Sequence, residues 1–303
     1  ANEELVGSWF NKWRIRNRET IKFVVPVYLL LIAILLVTLI IYGHGIFSQK
    51  YLNSVLVLTV FLAVVGLGQG SVIISGGFDL SVPRVITFCG VLLTGLSNGN
   101  DYALFWVIPV ILAVGAALGA VNGIGVTAIG LPPVIMTLAM NSIVYGLILI
   151  YTRGGSMFGA VPPALIRFIV GKALGFSPVA LFTILWVIFA TLLLSRTSFA
   201  RRLFAVGSSQ VVARLSGVKV ARNIVLVYML SGLCSALAAI LLAAFTQQAP
   251  LNLGNPYLLP AIAVVLTGGT LATGGRGHYL GIFGGVVLFT ALSTMVSGTT
   301  VPI

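Results

Sequence analysis

Few side chains in this 303-residue chain can make or break bonds, and their spacing fits no catalytic constellation. The five acids are Glu3, Glu4, Glu19, Asp79 and Asp101; residues 102–303 hold no carboxylate. Chemistry inside a membrane generally needs carboxylates for a metal-bound pyrophosphate, a His/Glu metal pair, or a serine with its base. The two histidines, His44 and His278, lie too far apart in sequence to form such a motif, and both are expected to be loop or interfacial groups without partners. Cys89 and Cys234 fall within apolar blocks, where a thiol behaves as a small hydrophobe, so neither a disulfide framework nor a metal site is expected. No G-x-x-x-x-G-K-[ST] run is present and no strand precedes the glycine clusters, which argues against nucleotide binding by this chain. Ion-coupled carriers rest on ionisable groups near the midplane. Here only Asp79 and Arg84, at one helix break, qualify. The residues therefore predict a chain with no catalytic residue, metal or cofactor of its own, and any energy for transport must come from another protein.

The elements that carry these residues follow from composition. Hydrophobic residues make up 59% of the chain and charged residues 7%, against about 25% charged in soluble domains. The apolar residues come in blocks of about twenty, the length of a membrane-crossing helix, and not in the weak alternation of a membrane barrel. The fold class expected is all-α, a polytopic membrane helical bundle. Spans are read at 22–43, 54–75, 81–97, 103–126, 131–151, 176–195, 223–245, 257–272 and 278–297. Residues 1–22, with Leu5, Trp9 and Trp13 beside Lys12, Arg14, Arg16 and Arg18, read as a basic interfacial segment, and 23–303 as the membrane domain. Basic clusters there and at Arg196, Arg201, Arg202, Arg214, Lys219 and Arg222 lie six crossings apart, so the positive-inside rule puts both the N-terminus and loop 196–222 in the cytoplasm. That favours topology over nucleic-acid binding as the meaning of the formal +12 charge. The loop 151–176, with Arg153, Arg167 and Lys172, is a mild exception on the outer side.

Small residues such as Gly115, Gly119 and Gly123 read as devices for close helix packing. Two glycine clusters differ: Gly76, Gly77, Asp79 and Ser81, and Gly268, Gly269, Gly274 and Gly275 each join two short apolar segments and read as broken or re-entrant elements. Asp79 is expected to be structural, N-capping a helix that begins near Ser81 and lying close to Arg84. In loop 196–222, Ser208 or Ser209 can cap a short helix that Gly217 ends, with Val211, Val212 and Leu215 on its apolar face and Ala213 and Arg214 within it. Such a helix could dock into a cytosolic partner or lie on lipid. Thr137, Asn141 and Tyr145 recur at i, i+4, i+8 on the fifth span, as a polar stripe facing either a path or another helix.

Four segments then match one family in order. Gly76-Gly77-Phe78-Asp79-Leu80-Ser81-Val82 resembles the G-[IM]-D-L-S-V-G motif of permease subunits of carbohydrate ABC importers, the ribose-type branch related to branched-chain amino-acid permeases. Asn122-Gly123 with Leu131 to Leu138 resembles its N-G and I-P-P-F-I-V-T-L, and Val206 to Gly217 its cytoplasmic A-x-G-x-N-x-x-A-A-R-L-S-G loop. Ala261 to Thr270 with Gly274-Gly275-Arg276-Gly277 resembles A-I-A-A-V-V-I-G-G-T-S-L-x-G-G-x-G. The departures are Pro83 for Gly, Phe78 for a smaller apolar residue, and Ser208-Ser209 for Gly-Asn. The resemblance implies about ten helices in the full-length subunit, so a last helix is expected beyond Ile303. It further implies a bacterial inner-membrane location and pairing as a homo- or heterodimer with a second permease subunit. Two cytosolic ATP-binding subunits, carrying ATP and Mg, would grip the helix from Val211 to Gly217, and a periplasmic sugar-binding protein would deliver the sugar. A channel, a secondary carrier for a small neutral solute and a branched-chain amino-acid-type permease are the alternatives.

Overall fold

The structure, a computed structural model, describes residues 24–41, 43, 48–155, 159–171 and 175–300. The basic segment 1–22, His44 and Lys172 lie outside them. Every regular element described is helical: α1 Val24–Ile41, α2 Gln49–Ile74, α3 Val82–Ser97, α4 Leu104–Thr127, α5 Pro133–Thr152, α6 Pro163–Val170, α7 Pro178–Arg196, α8 Ser198–Ser208, α9 Gln210–Leu215, α10 Val220–Thr246, α11 Leu258–Thr267 and α12 Tyr279–Thr300, with 3-10 turns at Asp101–Ala103 and Asn255–Tyr257. All nine apolar segments read from the sequence are helices. Seven are long enough to cross a bilayer; α3 and the Asn255–Thr267 segment are shorter. The ten residues of α11 reach only about 15 Å at 1.5 Å per residue.

The ends of these helices follow local chemistry. Ser177 caps α7 by accepting the Ala180 N–H at 3.3 Å, ahead of Pro178 at the first helical position. Pro133 and Pro163 open α5 and α6 in the same way, where the missing N–H costs nothing. Asp101 accepts the Ala164 N–H at 2.8 Å at the start of α6 and pairs with Arg167 at 3.0 Å, so a carboxylate offsets one cation of loop 151–176.

Helix α2 is the hub, buried almost throughout and packed by α7, α10, α11 and α12. The tightest helix pair is α4 on α10. A Cβ on Gly115 would fall 2.5 Å from the Gly232 carbonyl, one on Gly119 would overlap the Tyr228 carbonyl, and one on Gly123 would lie 2.6 Å from the Val225 Cα. Backbone contact of this kind is what small residues at every fourth position permit. Helix α1 lies on the outside against α12, where Tyr28 donates to the Leu280 carbonyl at 2.8 Å.

Between α10 and α11 the backbone does something the hydropathy does not show. Residues 247–257 run along α3: the Gly254 N–H donates to Thr87 Oγ1 at 3.0 Å, and a Cβ on Gly254 would overlap the Pro83 carbonyl. A non-helical stretch beside a buried helix needs such internal partners for its polar groups.

Candidate functional site at the helix breaks

Both glycine clusters are breaks, and they meet. Helix α2 ends at Ile74 and α3 begins at Val82; α11 ends at Thr267 and α12 at its start is Tyr279. The Gly275 N–H donates to the Ile74 carbonyl at 2.8 Å, and Gly274 lies so close that a Cβ there would come within 2.9 Å of the Gly76 nitrogen. Gly268 supports the same corner from α11, packed against the Gly281 backbone of α12, and Gly269 takes φ +84° as the chain turns away.

The remaining motifs converge on the same break. Asp79, 2% exposed, accepts from the Ser81 N–H at 3.0 Å and the Ser81 hydroxyl at 2.6 Å through Oδ1, and from the Ser231 hydroxyl of α10 at 2.7 Å through Oδ2. Asn122 of α4 donates its Nδ2 to Ser81 Oγ at 2.8 Å. The chain of donors runs Asn122 to Ser81 to Asp79, with Ser231 closing it from the far side, and ties α4 and α10 to one carboxylate. The expectation that Asp79 N-caps α3 is corrected: the N-cap is Ser81, whose side chain bonds no helix N–H, and Asp79 bonds Ser81 itself. Arg84, close in sequence, turns away to the Tyr145 ring and the Leu251 carbonyl. The buried carboxyl is instead satisfied by three hydrogen bonds from two serines.

From α5, Pro133 reaches Gly77, and the Thr137 hydroxyl donates to the Pro133 carbonyl at 2.9 Å while lying 3.4 Å from the Phe78 carbonyl. Tyr228 of α10 donates to the same Phe78 carbonyl at 3.4 Å. The polar stripe on α5 is thus divided. Thr137 is fully buried at the break, Asn141 is half-buried, and Tyr145 is 40% exposed.

The third motif, Val206 to Gly217, forms an elbow. Ser209 is the N-cap of α9, accepting the Val212 N–H at 3.3 Å. Gly217, at φ +80°, ends it with a Schellman pair, its own N–H donating to the Arg214 carbonyl and that of Val218 to the Ala213 carbonyl, both at 3.0 Å. Ala213 is the buried residue of α9; Val211, Val212 and Leu215 are 70%, 61% and 84% exposed, and Arg214 is exposed. At the other end of the elbow, Gly207 of α8 abuts the Ile74 carbonyl and the Gly275 nitrogen, and Ser208 abuts Gly275. An exposed apolar surface therefore sits on an element rooted in both breaks. His278, expected without a partner, instead caps α12: its carbonyl accepts from Ile282 and its Nδ1 from the Leu280 N–H at 3.2 Å.

Among the described residues no group of three or more metal-ligating side chains comes together. A cleft of about 370 Å³ lies between α2, α11 and α12, with Tyr257, Phe289, Thr290 and Thr294 in its walls.

A multi-pass bundle with paired helix breaks is the architecture of a membrane transport protein. Residues 51–302 match the family described as branched-chain amino acid transport system / permease component. The chain is 31% identical over 276 residues to the autoinducer 2 import system permease protein LsrD of Photorhabdus laumondii, covering 88% of this chain and 80% of that one. It is 31% identical over 284 residues to the galactose/methyl galactoside import permease protein MglC of Salmonella typhimurium, covering 88% and 84%. To the ribose import permease protein RbsC of Bacillus subtilis it is 34% identical over 232 residues, covering 76% and 71%. No solved structure matches. The chain belongs to this permease family and is the multi-pass membrane component of an ABC importer, a transport subunit and not an enzyme. Membership implies an ATPase and a binding protein as separate partners.

Proposed function

We propose that this chain carries a sugar across the bacterial inner membrane, paired with a second permease subunit, and that two cytosolic ATP-binding subunits drive it through α9. A periplasmic binding protein delivers the sugar; ATP and Mg belong to the ATPase. The import permeases named for galactose and ribose support sugar as the cargo class. The observation that carries the coupling reading is the exposed apolar face Val211, Val212 and Leu215 on an elbow whose base, Gly207, is wedged against the α2 break. Burying that face in a partner groove would contribute about 1.5–3 kcal/mol per side chain at full burial. The basic residues around it, Arg201, Arg202 and Arg214, are exposed, which supports a cytoplasmic location for 196–222 and for the N-terminus six crossings earlier. Asn141 and Tyr145 are the path-lining part of the α5 stripe, and Thr137 fixes α5 to the break. The test is Val212→Glu with Leu215→Glu in reconstituted vesicles: ATP-dependent sugar uptake and ATPase association fall while the permease still inserts and dimerises. Normal uptake by the double variant, or sugar movement without any ATPase, would overturn the reading.

A further inference from the structure

Arg84 is a cation at membrane depth that no carboxylate neutralises: the ion pair found among the described residues is Arg167 with Asp101, and both oxygens of Asp79 are taken by Ser81 and Ser231. Its guanidinium carbon lies 4.3 Å above the centroid of the Tyr145 ring, and Nη1 donates to the Leu251 carbonyl at 3.4 Å. Tyr145 is the thirteenth of the 20 residues of α5, which places the pair near the middle of that span. One turn earlier stands Asn141, half-buried, as Arg84 is. Neither the Asn141 amide nor the Tyr145 hydroxyl makes a hydrogen bond within the described residues. A charge and two polar groups with unused donors are expensive in hydrocarbon, so intramembrane ionisable residues face a water-filled cavity or a partner. A guanidinium stacked on a ring keeps its edge N–H groups directed outward for oxygen acceptors.

We infer that Arg84, Asn141 and Tyr145 form a contact site on a water-filled path at mid-depth, and that it takes an oxygen-rich solute carrying no positive charge. The inference rests on the reading of the α5 stripe as path-lining. Hydroxyl or carboxylate oxygens accept from the Arg84 edge and the Asn141 amide, the exposed part of the Tyr145 ring offers an apolar wall, and a cation meets uncompensated positive charge.

The test uses the permease assembled with its ATPase in vesicles, with Asn141→Cys as the reporter; Cys89 and Cys234 are fully buried and do not compete. Two water-soluble thiol reagents are compared, the anionic sulfonatoethyl and the cationic trimethylammonioethyl methanethiosulfonate. The anionic reagent is expected to react faster, and Arg84→Met to lower the anion-to-cation rate ratio by about tenfold. Arg84→Lys keeps the ratio, and Arg84→Gln serves as a second neutral variant should Arg84→Met fail to assemble. Absence of reaction with either reagent, or a ratio unchanged in the neutral variants, overturns the proposal. ATPase association without labelling would defeat this inference alone; labelling without ATPase association would defeat the importer reading alone.

Discussion

Gly207 faces the carbonyl oxygen of Ile74 with no room for a Cβ between them. That contact joins the base of the α8–α9 elbow to the last turn of α2, the most deeply buried helix of the bundle, and Gly275 completes the corner by donating to the same carbonyl. Under the coupling proposed above, force applied to Val211, Val212 and Leu215 would reach the break that holds Asp79 through this backbone contact.

Gly207→Ala inserts a methyl group against backbone, where neither side can yield by rotating a side chain. The cost expected from overpacking is about 1–3 kcal/mol. Sugar transported per ATP hydrolysed should fall while the ATPase still binds, because α9 itself is untouched. Gly217→Ala is the contrast: it has open space but φ +80°, so it strains the end of α9 and should weaken ATPase binding. Full coupling by Gly207→Ala, measured as uptake per ATP, would remove the elbow contact from the mechanism.

Asp79 accepts three hydrogen bonds, and a donor left unsatisfied in a buried site costs about 1–3 kcal/mol. Asp79→Asn keeps an acceptor oxygen toward Ser81 and lets the Ser231 hydroxyl turn to accept, so thermal stability in detergent should drop only slightly and much of the transport remain. Asp79→Leu orphans Ser81 and Ser231 and should be far less stable. Equal damage from the two variants would show that the charge, and not the hydrogen-bond geometry, is what the site requires.

Tyr102, 84% exposed, follows the end of α3 remote from the break, and Arg201, also exposed, is on α8, whose Gly207 abuts that break. In right-side-out vesicles an impermeant thiol reagent should label Tyr102→Cys and leave Arg201→Cys unreacted until the membrane is opened. Labelling of Arg201→Cys in sealed vesicles would reverse the orientation proposed for the chain.

What the amino-acid sequence determined by itself was whatever depends on neighbours along the chain. Apolar blocks of bilayer length specify helices, Pro133, Pro163 and Pro178 mark their starts, Ser209 and Gly217 bracket α9, and the glycine clusters mark breaks, because hydropathy, caps and φ are local properties. The four ordered motifs also carried the family. Only the tertiary structure decided what each motif is for. Ser231 and Asn122 became partners of the Asp79 site from 152 and 43 positions away in sequence, as hydroxyl and amide side chains with no local signature. Segment 247–257 reads as an ordinary loop, yet it runs along α3 because Gly254 alone allows its backbone to touch Pro83. Asp79 and Arg84 are neighbours in sequence, yet packing gives Asp79 to the serines and sets the guanidinium over Tyr145. Hydrogen bonds and close contacts between distant segments are set by how helices cross, and helix crossing is a property of the packed whole.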